Sequence, residues 1–298
     1  MPDAPVLIEA AINGVVPKSW NPHVPRTLDE VRADIRASFA AGASIVHNHA
    51  GDGATGPNGL DFYVQAWEPI LAERPGAILY PTLGSQGPVA ERIGHFEALA
   101  KRGLLRVGAI DPGSTNLGVL GDDGLPLPSD SVYANSFAFI AQSVATCRRL
   151  GLAMTFAIFE PTFLHTVLTY QRAGALPRGT WIKFYFGGSG GYPGIAPRER
   201  VMPFGLPPTR AALDAYLEIL GAAPLPWGVS AMGADLFECG IARLALERGG
   251  HLHLGLESYA GKRQPTNAEL IREAVALCRE VDREPLAWNC VAEYLGFA

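Results

Sequence analysis

Residues 44–49 read SIVHNH, a short apolar run that ends in two histidines separated by one residue. Alternate side chains of a β-strand point to the same face, so His47 and His49 would lie side by side. Neutral imidazole is a common ligand of zinc and its neighbours in the transition series. A hydrogen-bonded core residue is the ordinary explanation for a single histidine in such a strand. The pair instead favours a metal site at the strand end.

Short apolar runs alternate with longer amphipathic ones along the rest of the chain. The predicted strands span residues 6–12, 44–49, 77–82, 104–110, 152–159, 181–186, 225–230 and 251–256. The predicted helices span residues 27–41, 61–73, 88–101, 132–150, 161–173, 208–220, 234–247 and 267–282. Eight such units with continuously apolar strands predict an α/β fold, a (β/α)8 TIM barrel, as a single domain over residues 1–298. The main alternative, a doubly wound open sheet, lacks its Gly-rich turn after the first strand.

A closed barrel brings distant segments together, because the first, second and eighth strands become neighbours. Glu257 follows the eighth predicted strand and would meet His47 and His49 there. An ion-paired carboxylate is the alternative reading of Glu257, but a cation would offset the cost of burying it. Two histidines and a carboxylate leave a coordination position open, as a catalytic zinc requires, and they also suit other divalent transition metals.

Other polar residues also lie at predicted strand ends, where barrel enzymes carry their active sites. Thr82 is a candidate hydrogen-bond donor, and Asp111 begins a polar loop that either staples the fold or contacts substrate. Glu160 is either a functional acid or a helix N-terminal acid, and His253 would face the barrel mouth or the surrounding helices. The run GGSGG at residues 187–191 matches the nucleophile-elbow pattern, but its place after a sixth barrel strand argues against a hydrolase.

Composition narrows the class of protein. The net charge of −5 gives no case for binding nucleic acid or an anionic membrane. The N-terminus lacks the pattern of a signal peptide, and no apolar run approaches the roughly 20 residues of a membrane span. The four dispersed cysteines are typical of reduced thiols. These features predict a cytoplasmic protein.

Several segments resemble the family of β-keto acid cleavage enzymes, which includes 3-keto-5-aminohexanoate cleavage enzyme. The resemblance covers essentially the whole chain, and its two metal-binding segments are specific in combination. The similar segments are EAAING at 9–14, NPHVP at 21–25, AGASIVHNH at 41–49, GGHLHLGLE at 249–257 and NAEL at 267–270.

The resemblance implies a zinc-dependent barrel, usually a homotetramer, that acts on small molecules. It would exchange a β-keto acid and acetyl-CoA for acetoacetate and a new acyl-CoA by a retro-Claisen route. His47, His49 and Glu257 would hold Zn²⁺ or another divalent metal. Thr82 lies where the family has a substrate-contacting serine, and the substrate-loop region contains two further candidates, Ser114 and Asn116.

The chain also departs from the family pattern. His253 stands where the family usually has an arginine, and Ser258, a candidate substrate contact, stands where it has an aspartate. Val16 lies near the place of an acidic residue, and no arginine follows His49. Proton transfer would then fall to His253, Glu160 or Asp111, and we favour His253 because imidazole titrates near neutrality. Two alternatives stay open: an aldolase-type lyase or hydrolase without CoA, and a non-catalytic barrel that binds a metal and a ligand.

Overall fold

Eight parallel strands and their intervening helices form a barrel that is closed except at one seam. The computed structural model describes residues 4–51, 53–84, 87–130, 132–195 and 198–297. The strands are β1 (Ile8–Ala11), β2 (Ile45–Asn48), β3 (Ile78–Pro81), β4 (Val107–Ile110), β5 (Ala153–Ile158), β6 (Trp181–Gly187), β7 (Trp227–Met232) and β8 (His251–Leu254). The predicted TIM-barrel fold is confirmed.

Each strand is followed by a helix, and a short helix ends the chain. The helices are α1 (Leu28–Ala41), α2 (Leu60–Glu73), α3 (Val89–Lys101), α4 (Phe137–Arg149), α5 (Pro161–Arg172), α6 (Arg210–Leu220), α7 (Ile241–Glu247), α8 (Asn267–Glu280) and α9 (Val291–Leu295). Among the described residues, no helix combines the length and apolar character needed to cross a membrane.

The order of the strands places the two predicted metal-site segments beside each other. Within the described chain the order is β3-β2-β1-β8-β7-β6-β5-β4, with every hydrogen-bonded pair parallel. Ala11 of β1 lies opposite His47 of β2, and Ile8 lies opposite Leu252 of β8. No ladder joins β3 to β4 in the described residues, although the two strands lie next to each other.

Two helices begin five or more residues later than the sequence pattern predicts. We expected α4 from residue 132, but Tyr133 forms two backbone hydrogen bonds with Thr115, and the side chain of Ser136 caps the helix that starts after it. We expected α7 from residue 234, but Asp235 accepts two backbone N–H groups and holds a turn there. In both places a side-chain or loop hydrogen bond competes successfully with helix formation.

Asn267, the first residue of α8, forms hydrogen bonds with three other parts of the fold near the C-terminal ends of the strands. Its Nδ2 donates to the carbonyl of Ile12 at 2.8 Å and to Asp34 Oδ1 at 3.0 Å. Its Oδ1 accepts the N–H of Leu256 at 2.8 Å. The side chain is fully buried, so each of these bonds satisfies a group that has no access to water.

We predict that Asn267→Ala lowers the free energy of unfolding by about 2–4 kcal/mol, because it leaves buried backbone groups without partners. Urea denaturation at neutral pH measures the change. Asn289→Ala is the matched control, because Asn289 is exposed near the C-terminus. A cost no larger than that of the control would contradict the assigned role.

Asp34 of α1 is a second polar group in this contact, and it is partly buried. It accepts hydrogen bonds from Asn267 at 3.0 Å and from the Ser38 hydroxyl at 3.3 Å. Burial nevertheless raises the pKa of Asp34 to about 7, so its ionised form is disfavoured in the folded state. The stability that depends on protonated Asp34 is present at acid pH and is lost as the pH rises towards 7.

We therefore predict a pH-dependent difference between the parent protein and Asp34→Asn. Between about pH 4 and pH 7 the parent should lose up to about 4 kcal/mol of unfolding free energy relative to the variant. Urea denaturation of both proteins across this range measures the difference. A difference that stays constant, or that moves in favour of the parent, would exclude the raised pKa.

Candidate active site

Three side chains converge at the mouth of the barrel, as the sequence predicts. His47 lies in β2 one residue before its end, His49 directly follows β2, and Glu257 lies in the turn after β8. His47 Nε2 lies 3.3 Å from Glu257 Oε2, and His49 Nε2 lies 3.3 Å from Glu257 Oε1. One ligand atom from each residue lies within 4.8 Å of the others. We call this cluster the triad.

Hydrogen bonds to the ring of His47 and to the backbone of His49 hold the two residues with their Nε2 atoms facing Glu257. His47 Nδ1 hydrogen-bonds with the carbonyl of Tyr80 at 3.1 Å, and the imidazole ring of His47 stacks on the ring of Tyr80 with centroids 4.5 Å apart. Asn13 accepts the N–H of His49 at 2.8 Å and donates to its carbonyl at 3.1 Å. A bond such as that of His47 Nδ1 fixes the orientation of an imidazole ring in metal sites.

Close backbone packing positions Glu257. Gly255 has a φ of 143°, and a Cβ there would lie 2.1 Å from the carbonyl oxygen of Ala11. A Cβ on Gly14, whose φ is 51°, would lie 2.5 Å from Glu257 Cγ. Only glycine fits both places, since larger residues are strained at positive φ and would also clash. The turn after β8 therefore depends on these two glycines to bring the carboxylate over the histidines.

The electrostatics of the triad suit a bound cation. Burial opposes ionisation of Glu257, but His47 and His49 outweigh it and hold the pKa of Glu257 well below its usual range. Its buried Oε2 still has no hydrogen-bond partner of good geometry among the described residues. Each imidazole Nε2 faces a different oxygen of Glu257, and one donor atom from each of the three residues lies within 4.8 Å of the others, close enough to share one ion. The residues fit a divalent metal.

A cavity of about 260 Å³ opens beside the triad at the C-terminal ends of the strands. Thr82, Asp111 and Lys183 contribute polar groups to it, together with the triad itself. Much of its remaining wall is apolar or aromatic, from Val15, Leu83, Ile110, Leu117, Phe159 and Tyr192. Pockets of this kind, with few polar groups on an apolar wall, are typical of small-molecule sites.

A buried polar network lies next to this cavity, inside the barrel. Lys183 Nζ donates to Glu9 Oε1 at 2.8 Å and to the Tyr80 hydroxyl at 2.7 Å, and Tyr80 in turn donates to Glu9. Trp181 Nε1 donates to Glu9 Oε2 at 3.2 Å. Burial opposes ionisation of Glu9, but Lys183, His253 and the Tyr80 hydroxyl together outweigh it, and the pKa of Glu9 falls.

This network was not predicted from the sequence, although the sequence contains a signal for it. Glu9 and Lys183 are charged residues in the middle of otherwise apolar strands, β1 and β6. Buried charges in strands require partners, and neighbouring strands of a barrel can supply them. The sequence does not say which partner each charge meets.

His253 belongs to the network and does not line the cavity. Its Nδ1 hydrogen-bonds with Ser230 Oγ at 3.2 Å and its Nε2 with the Tyr185 hydroxyl at 3.3 Å, while Glu9 Oε1 also lies 3.3 Å from Nε2. Burial lowers the pKa of His253 to about 3, so the ring is neutral at pH 7. Our reason for favouring it, titration near neutrality, does not hold in this environment.

Asp111 follows β4 and lines the cavity, as expected for a strand-end residue. The hydroxyl of Tyr133 donates a hydrogen bond to its Oδ2. Burial raises the pKa of Asp111 even though this hydrogen bond and the charges of Lys183 and Arg92 act in the opposite direction. Of the three residues considered for proton transfer, it is the one that reaches the cavity.

The remaining candidates divide by whether they reach the cavity. Thr82 lines it. Glu160 instead links two loops, because its Oε1 accepts hydrogen bonds from Thr115 Oγ1 at 3.1 Å and from the N–H of Gly205 at 3.0 Å.

Ser114 and Asn116 are exposed and do not line the cavity, and Ser114 Oγ accepts a hydrogen bond from the N–H of Asn135. Ser258 is buried and donates to the carbonyl of Gly255 at 3.3 Å, away from the cavity lining.

Comparison with known proteins agrees with the site. The sequence profile of beta-keto acid cleavage enzyme matches residues 5–297. The chain belongs to the β-keto acid cleavage enzyme family. The family resemblance seen in the sequence is thus confirmed.

Two relatives and one solved structure are similar to this family member over most of its length. It is 24% identical to 3-keto-5-aminohexanoate cleavage enzyme of Acetoanaerobium sticklandii, over 98% of both chains. It is 26% identical to 3-oxoadipate:acetyl-CoA acetyltransferase of Cupriavidus necator, over 94% of this chain and 90% of the relative. ObcA in a binary complex with oxaloacetate superposes with a TM-score of 0.63 at 14% identity, over 92% of this chain and 67% of ObcA, which shows the shared fold.

Proposed function

We propose that this protein is a metal-dependent β-keto acid cleavage enzyme that uses acetyl-CoA. It would convert a β-keto acid and acetyl-CoA into acetoacetate and a new acyl-CoA by a retro-Claisen route. The observation that carries the proposal is the triad of His47, His49 and Glu257 at the edge of a largely apolar cavity. The relative named 3-oxoadipate:acetyl-CoA acetyltransferase supports the choice of acetyl-CoA as co-substrate.

The triad supports a metal because its donor atoms match the requirement of a catalytic site. His47, His49 and Glu257 would hold one divalent ion, zinc by donor type, which when bound polarises the carbonyl group of the substrate. Three protein ligands leave room for substrate oxygen. The hydrogen bond from His47 to the Tyr80 carbonyl keeps Nε2 available for this purpose.

Asp111 is the residue that we assign to proton transfer. The reaction requires removal of a proton from the carbon between the keto and carboxyl groups, and a base must reach that carbon. Asp111 lines the cavity, and burial raises the pKa of its carboxyl towards the working range of a base. Tyr133 fixes the orientation of the carboxylate by its hydrogen bond.

The apolar part of the wall supports an uncharged acyl substituent on the β-keto acid. Val15, Leu83 and Leu117 present only hydrocarbon to the cavity. A charged substituent in contact with them would lose hydration without gaining a partner. We therefore propose that keto acids with alkyl or aryl substituents are preferred over dicarboxylic ones.

Metal content and turnover test the proposal together. The parent should carry about one divalent ion per chain and release acetoacetate from alkyl β-keto acids only when acetyl-CoA is present. His47→Ala, His49→Ala and Glu257→Ala should each lose the ion and at least about a hundred-fold in turnover. Elemental analysis and detection of acetoacetate and acyl-CoA by mass spectrometry measure both.

His165→Ala is the matched control, because His165 is exposed on α5, far along the chain from the triad. It should keep both metal and activity. A parent without metal would overturn the metal site. Bound metal with cleavage independent of acetyl-CoA would indicate a lyase or hydrolase instead, and bound metal with no turnover would indicate a binding protein.

A second prediction concerns Asp111. Asp111→Asn should lower kcat by about a hundred- to ten-thousand-fold, the usual contribution of a general base, without loss of metal. Tyr133→Phe removes the hydrogen bond that lowers the pKa of Asp111, so the pKa should rise. Since the base must be ionised, the acid limb of the pH–rate profile should then move to higher pH.

Steady-state kinetics over a range of pH values measure both variants. Glu160→Gln serves for comparison, because Glu160 contacts loops and does not line the cavity. Near-parental kcat in Asp111→Asn would remove Asp111 from the mechanism. An acid limb that stays in place in Tyr133→Phe would show that it reports another group.

A further inference from the structure

Lys183 is a buried cation, and one of its N–H donors has no hydrogen-bond acceptor among the described residues. Its side chain is 4% exposed, and its ammonium group has three N–H donors. Two are used by Glu9 Oε1 at 2.8 Å and the Tyr80 hydroxyl at 2.7 Å. No third acceptor is recorded among the described residues, and Lys183 lines the cavity.

Neutralisation of Glu9 alone does not explain this arrangement. Glu9 already accepts hydrogen bonds from Tyr80 and from Trp181 Nε1, and it does not line the cavity. Lys183 extends from the middle of β6 to the cavity wall. Among the described residues that line the cavity, it is the only lysine or arginine.

Thr155 supplies a second unpartnered polar group to the same wall. Its residue is fully buried, and its Oγ1 has no hydrogen-bond partner in the described structure. Thr155 lies on β5 opposite Trp181, two residues from Lys183 on the neighbouring strand. Buried hydroxyl groups normally have partners, and this one, in a residue that lines the cavity, has a donor available for a ligand.

A β-keto acid brings a negative charge into this cavity. Carboxylate transferred from water requires a cation or several hydrogen-bond donors to offset its desolvation. Asp111 in the cavity wall would repel it, so attraction has to come from the triad's cation and from Lys183. A charge-assisted hydrogen bond from an ammonium group is among the strongest that proteins form.

We propose that Lys183 and Thr155 form an anion-binding subsite that holds the carboxylate of the β-keto acid. This inference rests on the proposed function and adds substrate-binding residues to it. Glu9 and Tyr80 are positioning residues for Lys183. They hold the ammonium group at the wall and leave one N–H directed to the substrate.

The test compares the binding of acetoacetate and of its methyl ester to metal-loaded protein by calorimetry. Lys183→Met should weaken acetoacetate binding about ten- to a hundred-fold and leave ester binding nearly unchanged. Thr155→Val should weaken acetoacetate binding by about three- to ten-fold. Lys101→Met is the matched control, because Lys101 is 72% exposed on α3.

Two outcomes would overturn the subsite. A folded, metal-loaded Lys183→Met that binds acetoacetate with parental affinity would exclude it. Equal losses for acetoacetate and its ester would reduce Lys183 to a structural residue. If Lys183→Met fails to fold because Glu9 is left unpaired, the double variant Glu9→Gln/Lys183→Met removes both charges and is held to the same criteria.

A crystal structure of the parent with acetoacetate tests the inference without any variant. We expect Lys183 Nζ within about 2.7–3.2 Å of a carboxylate oxygen, and a carboxylate bound elsewhere would overturn it. Turnover of the parent with acetyl-CoA decides the proposed function separately. Binding that depends on Lys183 without such turnover would keep the subsite and reject the reaction.

Discussion

The carboxylate of Glu9, buried inside the barrel, is the group on which the interior depends. Side chains from three other strands reach it: Tyr80 from β3, Trp181 and Lys183 from β6, and His253 from β8. Removing one partner of a buried ion pair typically costs about 3–5 kcal/mol, whereas an apolar replacement of the whole pair is often tolerated. The network therefore fixes which side chains face each other more than it adds stability. Through Tyr80 it also supports His47 of the triad.

Much of the fold, together with the triad, could be predicted from the sequence because local residue patterns indicate both. Strand and helix periods identified eight units, and barrel closure then required that the ends of β2 and β8 meet at β1. His47, His49 and Glu257 needed only that closure. Helix starts were less certain, since single side-chain hydrogen bonds, such as those of Ser136 and Asp235, decide them.

The proton-transfer group and the cation of the cavity could not be predicted in the same way. His253 stands in the family's arginine position, so sequence reasoning gave it a role that its buried surroundings do not support. Lys183 carries no motif, and its relation to Glu9 appears only when β1 and β6 face each other across the barrel. The pKa of a side chain depends on burial and on partners distant in sequence, which a residue's local pattern does not record.

The barrel is held together differently at different places, because no strand ladder crosses the seam between β3 and β4 in the described residues. On one side the triad rests on continuous strand ladders from β2 through β1 to β8. Across the seam, the buried guanidinium of Arg92 bonds the carbonyls of Gly84 and Ala134 and the side chain of Asn135, which links the loops after β3 and β4. Those loops contribute Leu83, Asp111, Leu117 and Tyr133 to the cavity wall. Evolution can therefore remodel the loops at the seam while the triad, held by ladders that do not cross the seam, keeps its geometry.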